Sequence, residues 1–335
     1  MASDAAIGWL LGSDEPAIRF RVRTEVCGED PESADLRALR EEIRESARAQ
    51  ALLSERDGAG RIPYHPYAKW LGAHWVLAAL AEIGYPPGDE SLIPLREQVN
   101  EWVLGPEHTR PIPARRGPAR LHGSIEANAV LSQVRLGLAD ERTSLIVARL
   151  LEHQWPDGGW NCDRRPEAHV SSFHETLLPV RALAAFAELT KDEAVRRAGE
   201  RAAGVFLQRQ LFRRRTDGSI IHPAFVKLHF PHYWHYDVLG GLVAMAESGH
   251  IKDQRCAEAL DLLEAKRLPG GAWPAEGRHY QPTQARVAAD AAGRARYIGR
   301  ASRVAWGPGG ATRPNEWVTL EALSVLAAAG RLWPS

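Results

Sequence analysis

Three cysteines in the whole chain, Cys27, Cys162 and Cys256, are too few, too far apart and odd in number to build a disulfide framework. A reducing, cytoplasmic setting is the expectation. Excess charge is also missing, since 42 basic residues face 42 acidic ones at a pI of about 7.3. Such a balance gives no general attraction to phosphate backbones or anionic membranes, so nucleic acid is not an expected partner, despite the local run Arg213 to Arg215. No apolar run reaches the roughly 20 residues needed to cross a bilayer. The segment Met1 to Leu11 carries Asp4 and lacks the basic start of a secretion signal. Alternating apolar and polar runs long enough for a sheet are absent too.

What is present is helical periodicity, repeated. A glycine turn recurs at Asp57-Gly58-Ala59-Gly60, Asp157-Gly158-Gly159-Trp160, Asp217-Gly218-Ser219-Ile220 and Gly270-Gly271-Ala272-Trp273, with a weaker form at Gly105-Pro106. Amphipathic stretches precede these turns, as in Arg142 to His153, Glu193 to Gln210 and Asp253 to Arg267. After each turn comes a more apolar helix: Leu71 to Ile83, Ile125 to Leu138, Phe173 to Leu189, His235 to Ala246 and Trp317 to Ala329. The unit is therefore outer helix, glycine turn, loop, inner helix, at a period of roughly 45 to 60 residues. Helical patterns at Pro16 to Val26 and Ala34 to Leu53 let residues 1–60 supply the missing helices. An all-α single domain over 1–335 is expected, as a closed ring of five or six helix pairs. Residues 277–314 read as a long loop or lid, with one helix near Thr283 to Arg296.

Gln154-Trp155-Pro156-Asp157-Gly158-Gly159-Trp160 has the form Gln, three residues, Gly, one residue, Trp, with a degenerate echo at Arg267 to Trp273. This resembles the repeat motif of squalene and oxidosqualene cyclases, and the helix-pair layout is similar to that of protein prenyltransferase β subunits. The resemblance implies an α/α toroid whose inner helices line a central cavity. Gln154 and Trp160 are expected to stabilise that fold, with Gly allowing the tight turn and Trp covering a helix end. The Asp-x-Asp-Asp motif by which class II terpene cyclases protonate an alkene is missing, as is an Asp-Asp-x-x-Asp cluster for magnesium diphosphate.

Candidate chemistry gathers where inner helices begin. His174, His235, His74 and Glu126 fall at equivalent places in successive units, where a ring would turn them toward one end of its cavity. His174, His235 and Asp237 are the expected acid–base set, with Glu175 beside them, because imidazole titrates near neutrality and a carboxylate can fix its tautomer. His235 and Asp237, two positions apart on one helix, would need partners from other helices. Phe230, Tyr233, Trp234, Tyr236 and Trp317 offer an aromatic wall for an apolar ligand. Arg294, Arg296, Arg300 and Arg303 could grip a carboxylate or diphosphate.

The expected activity is cyclisation, isomerisation, or addition and loss of water on an apolar, isoprenoid-like or polycyclic molecule, without a cofactor. One alternative is a zinc enzyme with Cys162, His174 and His235 as ligands, as prenyltransferases use Asp, Cys and His at inner-helix ends. Another is a noncatalytic toroid that binds a hydrophobic ligand or a partner peptide.

Overall fold

The computed structural model describes residues 2–110, 112, 118–282, 286–289, 295–298 and 300–332. Helices dominate them. In chain order they are α1 (Ala2–Leu11), α2 (Pro16–Arg21), α3 (Ala34–Glu45), α4 (Ala47–Leu53), α5 (Ala73–Glu82), α6 (Ile93–Val103), α7 (Pro106–Thr109), α8 (Gly123–Arg135), α9 (Glu141–Glu152), α10 (Phe173–Thr190), α11 (Glu193–Leu207), α12 (Val238–Glu247), α13 (Ala257–Ala265) and α14 (Glu316–Ala328). A π-helical turn, Val22–Val26, extends α2. No described helix is long and apolar enough to cross a membrane.

The apolar set expected inside is buried. Every residue of α5 from Ala73 to Ala81 is buried, and α8 is buried from Gly123 to Gln133. Contacts run α5 to α8, α8 to α10, α10 to α12, α12 to α14, and α14 to α2. Arg21, the last residue of α2, donates to the carbonyl of Glu82 at the end of α5 (3.2 Å), which brings the two ends of this series together. The amphipathic helices back them: α6 packs on α5 and α8, α9 on α8, α11 on α10 and α13 on α12.

The repeat is visible at atomic detail. The Trp160 backbone N–H donates to Thr176 Oγ1 (3.2 Å) and its indole N–H to the Leu150 carbonyl (3.0 Å). Trp273 does the same with Thr319 (2.9 Å) and Leu263 (2.7 Å). Thr176 and Thr319 each hold the fourth position of an inner helix, so each tryptophan ties the end of an outer helix to the first turn of the next inner one. Gly158 turns at φ +105°, where a Cβ would lie 2.3 Å from the Arg201 carbonyl oxygen. Gln154 Nε2 closes the turn by donating to the carbonyls of Gly158 (2.7 Å) and Ala198 (2.8 Å).

Three local expectations are corrected. The pattern Ala34 to Leu53 is two helices, because Ser46 is extended (φ −62°, ψ 147°) and its hydroxyl accepts from Ala49 N as the N-cap of α4. Helix α12 starts at Val238, not His235: Asp237 is extended and takes the Gly240 N–H on its carboxylate, which leaves His235 in the preceding loop. Around the expected helix at Thr283 to Arg296, the described residues form an antiparallel pair, β1 (Arg286–Ala289) and β2 (Ala295–Ile298), with Val287 opposite Tyr297. Pairing of strand-favouring Val, Tyr and Ile outweighs the helix propensity of the alanines. Thr283 and Arg294 lie outside the described residues.

Candidate functional site

The site is built around the loop that enters α12. Asp237, fully buried, caps that helix, and its Oδ2 also accepts the His229 backbone N–H (2.7 Å). The same oxygen lies 2.7 Å from His229 Nδ1. With Nδ1–H donating to Asp237, the buried Nε2 presents its lone pair and has no hydrogen-bond partner among the described residues. His232 lies on the other side of Asp237 (Nδ1 to Oδ1 3.5 Å), and its Nε2 meets Glu321 Oε2 of α14 at 2.7 Å. Four buried titratable groups therefore run in a line, His229, Asp237, His232, Glu321. Burial opposes the charge on His232, yet Glu321 and Asp237 raise its pKa to about 9, so it is an imidazolium at neutral pH. Burial likewise opposes ionisation of Asp237, and His229 and His232 hold its carboxyl below the usual range.

Aromatic rings stack against this line. His235 lies between Trp234 (centroids 3.9 Å apart) and His279 (3.6 Å), and His279 meets His229 edge-on at 4.6 Å. Burial, with the neighbouring imidazoles His279 and His229, drives the His235 pKa down to about 2, and its Nδ1 is buried without a partner among the described residues. His279 is held at about 4 by burial and His229. Tyr233 stacks flat on Trp70 at 3.6 Å, and Trp70 meets Trp75 edge-on at 4.6 Å. Lys69 Nζ lies 4.9 Å from the Trp234 ring centroid.

A second cluster sits where α8 and α10 begin. Glu175 Oε2 accepts from the backbone N–H (3.0 Å) and hydroxyl (2.9 Å) of Ser124. Its Oε1 faces Cys162 Sγ at 3.1 Å and His122 Nδ1 at 3.7 Å. Burial and Glu175 push the Cys162 thiol far up, so it holds its proton unless a cation replaces that proton. Two groups could thus hold a metal ion, His122–Cys162–Glu175 and His229–His232–Asp237, each with donor atoms within 4.8 Å of one another. In the second, backbone N–H groups already occupy both Asp237 oxygens and Glu321 engages His232. The first keeps a thiol and a half-exposed imidazole available, so it is the better fit.

The residues expected from sequence are thus redistributed. Asp237 meets His229 and His232 rather than His174, whose Nδ1 accepts the Tyr236 backbone N–H (3.0 Å) and whose pKa is lowered chiefly by burial. Cys162 joins His122 and Glu175; neither His174 nor His235 belongs to either metal-capable group. His74 is buried against Asn128 (2.9 Å), its pKa lowered to about 3 by burial, and Glu126 is buried between His108 (3.1 Å) and Arg149 (3.2 Å). His74 and the Glu126 partner His108 flank Trp102, at 5.5 and 5.1 Å, rather than His235.

Among the expected wall residues, Tyr233 and Trp234 reach the histidine cluster. Phe230 stacks on Trp317 in the core (5.1 Å), and Tyr236 is buried among Phe173, Phe206 and Phe225, its hydroxyl donating to Leu211 O (2.5 Å). Of the arginines, Arg303 pairs with Glu55, Arg300 is exposed and Arg296 lies on β2. His229, His232, His279, Glu321 and His122 were not anticipated; the density of histidine and aromatic residues from His222 to His235 is the signal that pointed nearest to them.

The inner helices also enclose charge at their other ends. Arg181 of α10, Arg135 of α8, Glu82 of α5 and Glu247 of α12 form one network, and a cavity of about 500 Å3 beside it is lined by Arg21, Tyr85, Val243 and Glu321 among others. Glu321 thus reaches from the histidine line to this cavity. No family model, curated protein or solved structure matches the chain.

Proposed function

We propose that this chain is an α/α-toroid enzyme of the terpenoid-cyclase and prenyltransferase type, acting by acid–base chemistry on an apolar, isoprenoid-like or polycyclic molecule. The observation that carries this reading is His229: a carboxylate holds its Nδ1, and its Nε2 is buried, free and flanked by stacked rings. That is the arrangement of a general base whose tautomer is set by a buried acid. His229 would take a proton from carbon or water and Asp237 would steady the resulting imidazolium, with neutral His235 packed beside them. The stacked rings of Trp70 with Tyr233 and of Trp234 with His235 supply an apolar wall beside it. The toroid itself is supported by the order of inner-helix contacts and by the paired anchoring of Trp160 and Trp273. Three free cysteines suit a reducing cytoplasm.

The test is solvent-deuterium incorporation. Farnesol, geraniol and polycyclic isoprenoids, incubated with the protein in D2O, should yield labelled, cyclised, isomerised or hydrated products by mass spectrometry. His229→Gln should lower that turnover by about 10²- to 10⁴-fold with the helical circular dichroism unchanged. Undiminished turnover in the variant would sink the assignment.

A second reading is favoured by the His122–Cys162–Glu175 geometry. Three protein ligands of this kind with one side open suit a catalytic zinc, which supplies Lewis-acid polarisation or a low-pKa water when bound. It predicts about one zinc per chain. Cobalt-loaded protein should show a thiolate charge-transfer band in the near ultraviolet, absent in Cys162→Ser. Equal metal content in that variant removes zinc from the account.

A further inference from the structure

Beside His122 lies a cavity of about 470 Å3 that the acid–base line does not use. Its size falls within the range of small-molecule sites. Trp102 and Ile125 supply apolar wall, while Arg110, Arg164, His108 and His122 face it with a single acid, Glu107. The arginines are what set it apart. Most described arginines are tied to carboxylates or carbonyls, as Arg165 is to Asp163 and Arg149 to Glu126. Arg110 and Arg164 make no ion pair and no side-chain hydrogen bond among the described residues. His108 is held in place from behind, its side chain 7 % exposed and its Nε2 on the buried Glu126. Two unengaged guanidinium forks on one small cavity with an indole wall match a planar or tetrahedral oxyanion carried on an apolar body.

We propose that this cavity binds the anionic end of a small amphipathic molecule, a carboxylate or a phosphate monoester, with Arg110 and Arg164 as its anchors. The apolar part lies against Trp102 and Ile125. His122 belongs both to this cavity and to the Cys162–Glu175 cluster, so a molecule anchored here lies beside that cluster. The inference goes beyond the proposed function, and the binding does not depend on acid–base chemistry at His229.

Calorimetric titration with phenyl phosphate, benzoate, benzyl alcohol and benzylamine tests it. Phenyl phosphate or benzoate should bind, and the stronger of the two names the oxyanion. The alcohol and the amine should not. Arg110→Gln and Arg164→Gln, both at exposed positions, should each weaken binding roughly tenfold, as expected for loss of a hydrogen bond to a charged group. The His229→Gln protein should bind as the unaltered chain does, so failure of the acid–base reading leaves this result standing. Binding of neither anion, equal binding of benzyl alcohol, or anion binding undiminished when both arginines are replaced would each overturn the proposal.

Discussion

Replacing Arg181 by methionine should destabilise the protein by about 3–5 kcal/mol, read as a lower urea midpoint with an unchanged denaturant slope. Arg181 is 3 % exposed in the middle of α10. Its Nε donates to Glu247 Oε2 (2.7 Å) and its Nη1 lies 2.9 Å from Glu82 Oε1. Glu82 comes from α5 and Glu247 from α12, so one guanidinium joins helices far apart in the chain. Arg135 of α8 binds the same two carboxylates at 3.2 and 2.6 Å. Without Arg181, Glu82 and Glu247, whose side chains are 18 % and 30 % exposed, share one cation, and the loss reflects the uncompensated charge more than the pair's own worth. Methionine keeps most of the side-chain volume, which separates charge from packing. A second replacement, Glu247→Gln, should recover part of the loss by removing the orphaned charge. A change below about 1 kcal/mol for Arg181→Met would mean that solvent satisfies the network instead.

Stability should also form a dome in pH with its top near neutrality. His74 and His235 stay neutral in the folded protein, with pKa values of about 3 and about 2. Their contribution is present above the unfolded value of about 6.5 and is lost as pH falls toward the folded values, because the unfolded chain binds protons first. Each removes about 1.4 kcal/mol per pH unit, so the two together cost about 4 kcal/mol by pH 5. His232 works in the opposite sense. Its folded pKa of about 9 is raised, so its contribution is present below about 6.5 and is lost as pH rises through 9. Glu82, Glu175, Asp237 and Glu247 are held below the carboxylate range, and their contributions fade only at lower pH. Urea midpoints measured from pH 5 to pH 9 should fall on both sides, and His232→Gln should flatten the alkaline side. A level profile would show that these imidazoles are more solvated than their packing implies.

Helix pairs, glycine turns and the tryptophan motif were legible because each rests on short-range order: a 3.6-residue period, a glycine at positive φ, a Gln and a Trp set about one turn. Inner helices α5, α8, α10 and α14 therefore begin and end within a few residues of the pattern read from sequence. Asp237 was found as a candidate but misplaced on the helix, because the same carboxylate that makes it a good N-cap ends the helix at Val238. His229 and His232 sit in a segment without period, where nothing local says which imidazole meets which acid. Glu321 looks like any charged residue of an apolar helix until α14 packs on α12 and brings it to His232, 89 positions earlier. His122, Cys162 and Glu175 likewise meet only because α8 lies against α10. Sequence alone thus determined the helical class and the repeated turns, since those follow from local backbone preference and burial pattern. Tertiary packing alone decided which titratable groups pair, because contact between side chains far apart in the chain is set by how helices stack and not by their spacing in sequence.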